Sequence, residues 1–307
     1  MSVLIVACQV NSGQNPASQS SAMETENCRM VEHTAGKTCV PDNPERVVVL
    51  GVATIGDVLA LGVKPVGTIL YFNKSNAPPY LEGKLEGVET VGTGNEPNLE
   101  TILSLNPDLI IMMHPNQGSY NKLSQIAPTV ADDWFGYDDW KDHFNFVASV
   151  LGKTKEAEEI WANYHRRIEE LRAALPDNYQ DIQVSFVRIC CGKLATDVKN
   201  SFSGQILNDI GLSRPPVQDI EVKGGLTSFS EEAIPDMDGD VIFVVVDRED
   251  EEAEKMFEQL KQNPLWNQLE AVQEGKVYPV NLPTWRGGNP LAADAVIDDL
   301  FQYLVEK

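Results

Sequence analysis

Midway along the chain, the segment KTKEAEEIWANYHRRIEELRAAL sets Ala157, Ile160, Trp161, Tyr164, Ile168, Leu171 and Leu175 at intervals of three and four. That period collects them on one stripe of an α-helix of roughly 22 residues, about 33 Å long. A rod of this length in the middle of a 307-residue chain leaves few architectures open. Strand and helix patterns alternate on both sides of it, so the expected fold is α/β: two lobes with parallel or mixed central sheets, joined by a single long helix. Clefts between domains are where small ligands bind.

Before the rod, RVVVLGVATIGDVLALGVKPVG reads as a buried strand, a helix ending at Gly62 and a new strand starting at Pro65 to Val66. PNLETILSLNPDLIIM repeats the pattern, and after PDNYQD the alternation resumes from Val184 to the terminus. The halves echo each other. Glu100 is followed eight residues later by Asp108 and the strand LII; Glu232 is followed at the same distance by Asp240 and VIF. GDVLALGVKP is similarly matched by GQILNDIGLSRP. The expected division is an N-terminal lobe over 28–141, a connecting helical segment over 142–175 and a C-terminal lobe over 176–307.

Residues 1–27 stand apart. LIVAC places Ile5, Val6 and Ala7 before Cys8, in the pattern of a lipobox, whose cysteine takes a lipid and becomes the mature N-terminus. Seven residues precede Cys8, fewer than a charged start and an apolar core of roughly 7 to 15 residues require, and the alternative is a frayed terminus with a chance cysteine. In the first case the Ser/Gln/Asn-rich stretch up to residue 27 is a flexible tether. Cys28 and Cys39 flank CRMVEHTAGKTC, which reads as two strands about a TAGK turn. A disulfide between them would place the chain outside the cytoplasm; otherwise they are two thiols. Cys190 and Cys191 are adjacent and match neither a metal knuckle nor a redox motif.

The formal net charge is −22, which repels nucleic acid at long range. Catalytic motifs are missing: GTGNEP lacks the third glycine of a dinucleotide loop, and GxxxxGK[ST], GxSxG and HExxH do not occur. His33, His114, His143 and His165 have no ligand spacing, so no direct metal ligands are expected. Aromatic and basic residues in loops and strands remain. Arg188 lies in the strand-like VSFVRIC, Arg286 beside Trp285 in TWRGGNP, Trp134, Phe135 and Tyr137 in DDWFGYDDW, and Tyr71 with Phe72 after VGTIL. A guanidinium between aromatic walls suits a bulky chelate with anionic oxygens. The expected ligand contacts are Tyr71, Trp134, Tyr137, Arg188, Trp285 and Arg286.

From about Arg46 to Leu304 the chain resembles the periplasmic substrate-binding proteins of iron(III)-siderophore ABC importers, the cluster with a helical backbone that includes cobalamin and haem carriers. The segments that carry the resemblance are HTAGKTCVPDNPERVVVL, NLETILSLNPDLII, LSQIAPTV, DWKDHF, SFSGQILNDIGLSRP and GGNPLAADAVIDDL. It implies two lobes on one helix with little hinge motion, and an acidic residue on each lobe that docks onto arginines of the permease dimer, by position Glu100 and Glu232. Where some hydroxamate binders of the family carry Trp-Gly-Arg-Gly-Gly, this chain has SFSG, which moves the weight to Arg188. The implied protein is a monomeric, non-enzymatic receptor, lipid-anchored in the periplasm or on the outer face of the cytoplasmic membrane. It holds no intrinsic cofactor and passes a ferric siderophore to a permease and its ATPase. The alternatives are a cobalamin or haem carrier of the same architecture, and a two-lobe α/β enzyme acting on a metal-bound substrate.

Overall fold

The computed structural model describes residues 28–70, 77–93, 96–113, 117–134, 139–190, 192–246 and 251–305. Cys8, Tyr71, Phe72, Phe135, Tyr137 and Cys191 lie outside them. The described chain opens with an antiparallel hairpin, β1 (Cys28–His33) and β2 (Gly36–Pro41), whose turn is Thr34–Ala35. Cys28 and Cys39 are joined by a disulfide across it. The hairpin is tied down by Thr34 and Thr38, which donate to the carbonyls of Ala131 and Thr129.

The first sheet contains β3 (Val47–Leu50), β4 (Gly67–Leu70), β5 (Glu89–Thr93), β6 (Glu96–Pro97), β7 (Leu109–Met113) and β8 (Thr129–Asp132), in the order β6-β5-β4-β3-β7-β8. Only β6 runs antiparallel to its neighbour. VVVL in β3 is apolar throughout because helices cover both faces: Val47 and Val49 join one core cluster, Val48 and Leu50 another. The helices of this half are α1 (Val52–Ala60), α2 (Leu99–Ser104), α3 (Gln117–Leu123) and α4 (Trp140–Leu151).

The predicted rod is α5 (Thr154–Ala174), 21 residues, with Ala157, Tyr164, Ile168 and Leu171 buried. Ala157 and Ile160 pack into the core of the first half, Ile168 and Leu171 into that of the second, so one helix is cemented into both. The second sheet, in the order β11-β10-β9-β12-β13, contains β9 (Val184–Cys190), β10 (Lys193–Asp197), β11 (Leu226–Phe229), β12 (Val241–Val246) and β13 (Val277–Val280). β9, β12 and β13 are parallel, while β10 and β11 are antiparallel additions, so both sheets are mixed. Its helices are α6 (Phe202–Ile210), α7 (Glu251–Leu260), α8 (Glu270–Gln273), α9 (Leu282–Trp285) and α10 (Pro290–Leu304).

The final helix, α10, packs on α1 of the first half as well as on α5 and α6. One apolar cluster also runs through the junction, holding Ala53, Trp134 and Trp140 together with Phe202, Phe243 and Trp285. Trp140 meets Phe202 edge to face at 5.2 Å. The lobes are therefore packed together as well as tethered.

The internal echo has a physical cause. Asp108 accepts the backbone N–H groups of Glu45 and Arg46 where the chain enters β3, and Asp240 accepts that of Gln183 at the entrance to β9. Each aspartate pins an incoming strand beside its own.

Candidate functional site

On β9, Phe186 and Arg188 are two residues apart and share a face of the second sheet. Phe186 is core, stacked on Trp285 at 5.6 Å, whereas Arg188, nearer the C-terminal end of the strand, is half-buried. Arg188 is paired with Ala195 on β10, which puts Asp197, two residues further along β10, on the same face. Arg286 comes from the turn after α9, and its Nη1 donates to Asp197 Oδ1 at 3.0 Å. The structure thus brings together two arginines 98 positions apart in sequence around an aspartate that sequence reasoning missed. Burial pushes the Asp197 carboxyl up, to about 7, against the pull of Arg188. Asp197 Oδ2 and Arg188 Nε are buried without a hydrogen-bond partner among the described residues.

This cluster lies at the lobe junction. The turn following Arg286 abuts the first half, since a Cβ at Gly287 would come within 3.1 Å of the Tyr80 hydroxyl, and Asn289 fills the space beside Gly56 of α1. Across the junction Trp134, 7% exposed, stacks on His143 at 4.3 Å. His143 Nδ1 is 2.6 Å from Asp132 Oδ2, and its Nε2 is 2.9 Å from Thr54 Oγ1 and 3.5 Å from Asp57. Asp57 is completely buried, and desolvation raises its carboxyl well above the usual range. Thr54, His143 and Asp132 have the order of a nucleophilic relay, yet Thr54 has no exposed surface through which a substrate could reach it.

Trp285 sits in the core. It was expected as a wall of the ligand site, but its side chain is 0% exposed, enclosed by Phe186 and Phe243, with Nε1 donating to Asp299 at 2.7 Å. Asn281 caps α9 by accepting the Thr284 N–H, and the resulting helical turn swings Trp285 inward and carries Arg286, its side chain 8% exposed, to Asp197. Trp134 is almost buried, and Tyr71 and Tyr137 lie outside the described residues. Chemically, what the cluster presents is a pair of guanidinium forks, suited to oxyanions. Among the described residues no three His, Cys, Asp or Glu side chains are grouped to hold a metal ion. A separate cavity of about 620 Å³ between α7 and the β10–β11 edge, lined by Lys193, Phe229, Met256 and Asn263, includes none of the expected contacts.

Glu100 and Glu232 are both exposed. Glu100 sits in the first turn of α2, behind Asn98, whose side chain accepts the Thr101 N–H. Glu232 sits in a different local frame. Residues Glu231–Met237 form a 3-10 helix with Pro235 inside it, and Ser230 makes no capping bond to the backbone. Its hydroxyl instead bonds the Glu232 side chain, holding that carboxyl below its usual range.

Residues 47–281 match the family model described as periplasmic binding protein. The chain is 35% identical to the probable siderophore-binding lipoprotein YfiY of Bacillus subtilis (strain 168), over 99% of this chain and 97% of that one. It is 34% identical to the Fe(3+)-citrate-binding protein YfmC of the same organism, over 93% and 89%. Among solved structures, Staphylococcus aureus SirA complexed with staphyloferrin B superposes with a TM-score of 0.79 at 30% identity, covering 90% of this chain and 98% of that one.

Proposed function

The chain belongs to the periplasmic binding protein family, and from that premise we propose that it is the receptor of an ABC importer, capturing a ferric siderophore at its lobe junction and delivering it to the permease. The observation that carries this reading is the pairing of Arg188 and Arg286 where the two lobes meet. Iron arrives already chelated, so the receptor recognises the chelate's anionic oxygens and supplies no ligands to the metal. Binding without turnover is in keeping with relatives that are named as binding proteins.

The finer assignments are part of the same proposal. The lobes divide at 28–141, 142–175 and 176–307, with α10 reaching back to the first. Arg188 and Arg286 contact the chelate, the edge of Trp134 faces it from the other lobe, and Tyr71 and Tyr137 complete the wall. Glu100 and Glu232 meet basic residues of the permease dimer. Cys8 carries the lipid, a reading supported by the lipoprotein relative, which is matched over nearly its whole length. No described helix is long and apolar enough to cross a membrane.

The test is a tryptophan-quenching titration with ferric citrate, ferric hydroxamate and ferric catecholate chelates, haem and cobalamin. A ferric chelate should bind and co-elute through gel filtration unchanged. Arg188→Ala should weaken it by about 1.5 to 3 kcal/mol, the range for hydrogen bonds to charged groups. Preference for haem or cobalamin, or release of an altered chelate, would refute the proposal.

A further inference from the structure

Asp197 ends β10 almost fully buried, on the same face as Arg188. One of its oxygens accepts from Arg286 Nη1, while the other has no hydrogen-bond partner among the described residues, nor has the buried Nε of Arg188. An ion pair that served packing alone would use both carboxylate oxygens, because a buried acceptor left unpaired is costly. The charged groups facing Asp197 among the described residues are Arg188 from β9 and Arg286 from the turn after α9. Resting on the reading that these arginines take the chelate, we propose that Asp197 is the internal counter-ion of the site. It positions both guanidiniums while the site is empty, and takes up a proton when an anionic chelate replaces it as their partner.

Where Asp197 is ionised it offsets part of the positive charge of the two guanidiniums. An anionic chelate brings negative charge beside the carboxylate, and a like charge favours its neutral form. Burial has already moved this carboxyl into the neutral range, so the added push acts near pH 7. The step balances simply: a proton from solvent binds the free carboxylate oxygen, the Arg286–Asp197 hydrogen bond is exchanged for one to the chelate, no covalent bond of the protein breaks, and both arginines stay protonated. Because the carboxyl binds its proton more tightly in the complex than in the free protein, affinity rises as pH falls from the carboxyl's pKa in the complex towards its pKa in the free protein. The limit is about tenfold per pH unit for one whole proton.

Ferric citrate in excess citrate is titrated calorimetrically into the full chain at about pH 7.5, in buffers of different ionisation enthalpy, alongside carbon-13 NMR of labelled aspartate in the empty protein. The wild type should take up a fraction of a proton per chelate and lose affinity several-fold per pH unit above neutrality. Asp197→Asn should still bind, with a flat profile once protons exchanged by the chelate itself are subtracted, and should lack an aspartate signal that titrates near neutrality in the wild type. Binding by the wild type with no more proton uptake than the variant overturns the proposal. So does an Asp197 signal that titrates in the ordinary carboxylate range in the empty protein. Failure of every ferric chelate to bind would strike the receptor reading instead, while the titration of the empty protein still judges the poised carboxyl.

Discussion

Replacing Gly56 by alanine sets two effects of opposite sign against each other. Gly56 lies inside α1, and alanine there gains roughly 1 kcal/mol of helix propensity. The added Cβ, however, would stand 2.2, 2.3 and 2.5 Å from Cγ, Oδ1 and Nδ2 of Asn289. That side chain has no room to give. It is completely buried, caps α10 by accepting the Ala292 N–H at 3.0 Å, and donates to the Gly287 carbonyl at 2.7 Å. Displacing it costs about 1 kcal/mol for the cap and about 1 to 3 for strain in a packed core, with a further 1 to 3 if the buried amide loses its partners. These terms overlap, so after the propensity gain the net loss is about 2 to 4 kcal/mol. At about 2 to 4 °C per kcal/mol, the melting temperature should fall by about 4 to 16 °C. The measurement is scanning calorimetry of the empty protein, with Asn289→Ala as the second arm of a cycle. Gly56→Ala should cost far less in that background, giving a coupling above about 1 kcal/mol. An unchanged or raised melting temperature, or simple additivity, would show that α1 and α10 do not press together at this point.

Trp285→Phe removes the bond to Asp299 and leaves a cavity in the core, so it should cost about 2 to 4 kcal/mol of stability and leave chelate affinity within about twofold; a large affinity loss would return Trp285 to the ligand site. Changing Cys28 and Cys39 together to serine should cost about 2 to 3 kcal/mol, seen as faster hydrogen exchange in β1 and β2, and equal protection in both proteins would refute this. Glu100→Ala combined with Glu232→Ala should leave chelate affinity intact and abolish or strongly reduce transport in reconstituted vesicles. Wild-type transport by the double variant would reduce both glutamates to helix-start residues, where a charge is worth about 0.3 to 1 kcal/mol at most.

The architecture could be read from the chain because its strongest signals are local. The period of α5, the hairpin about Thr34–Ala35 and the glycines that end α1 and α6 each depend on residues a few positions apart. The site was only half legible. Arg188 and Arg286 are conspicuous as basic residues in an acidic chain, but the carboxylate that Arg286 bonds is Asp197, 89 positions away, and no local pattern encodes that pairing. Thr54 and His143 are likewise 89 apart. A signal was nevertheless present: Asp57 and Asp197 interrupt otherwise buried stretches of α1 and β10, and an acid among apolar neighbours requires a partner. Trp285 misled because an aromatic beside an arginine reads equally as a wall or as core. The capped turn that chose between them depends on Asn281 and on packing from the other strands.

The continuous core through the junction bears on how such a receptor signals. Swinging the halves apart would expose Trp140 and Phe202 and peel α10 from α1, at about 25 cal/mol for every square ångström of apolar surface uncovered. On that ground a full and an empty receptor would have nearly the same silhouette, with the two exposed glutamates held at one separation. A transporter that gripped those glutamates alone would be occupied by idle receptors as readily as by laden ones. In a cell with many receptors per channel, traffic would be limited by how quickly empty carriers step aside.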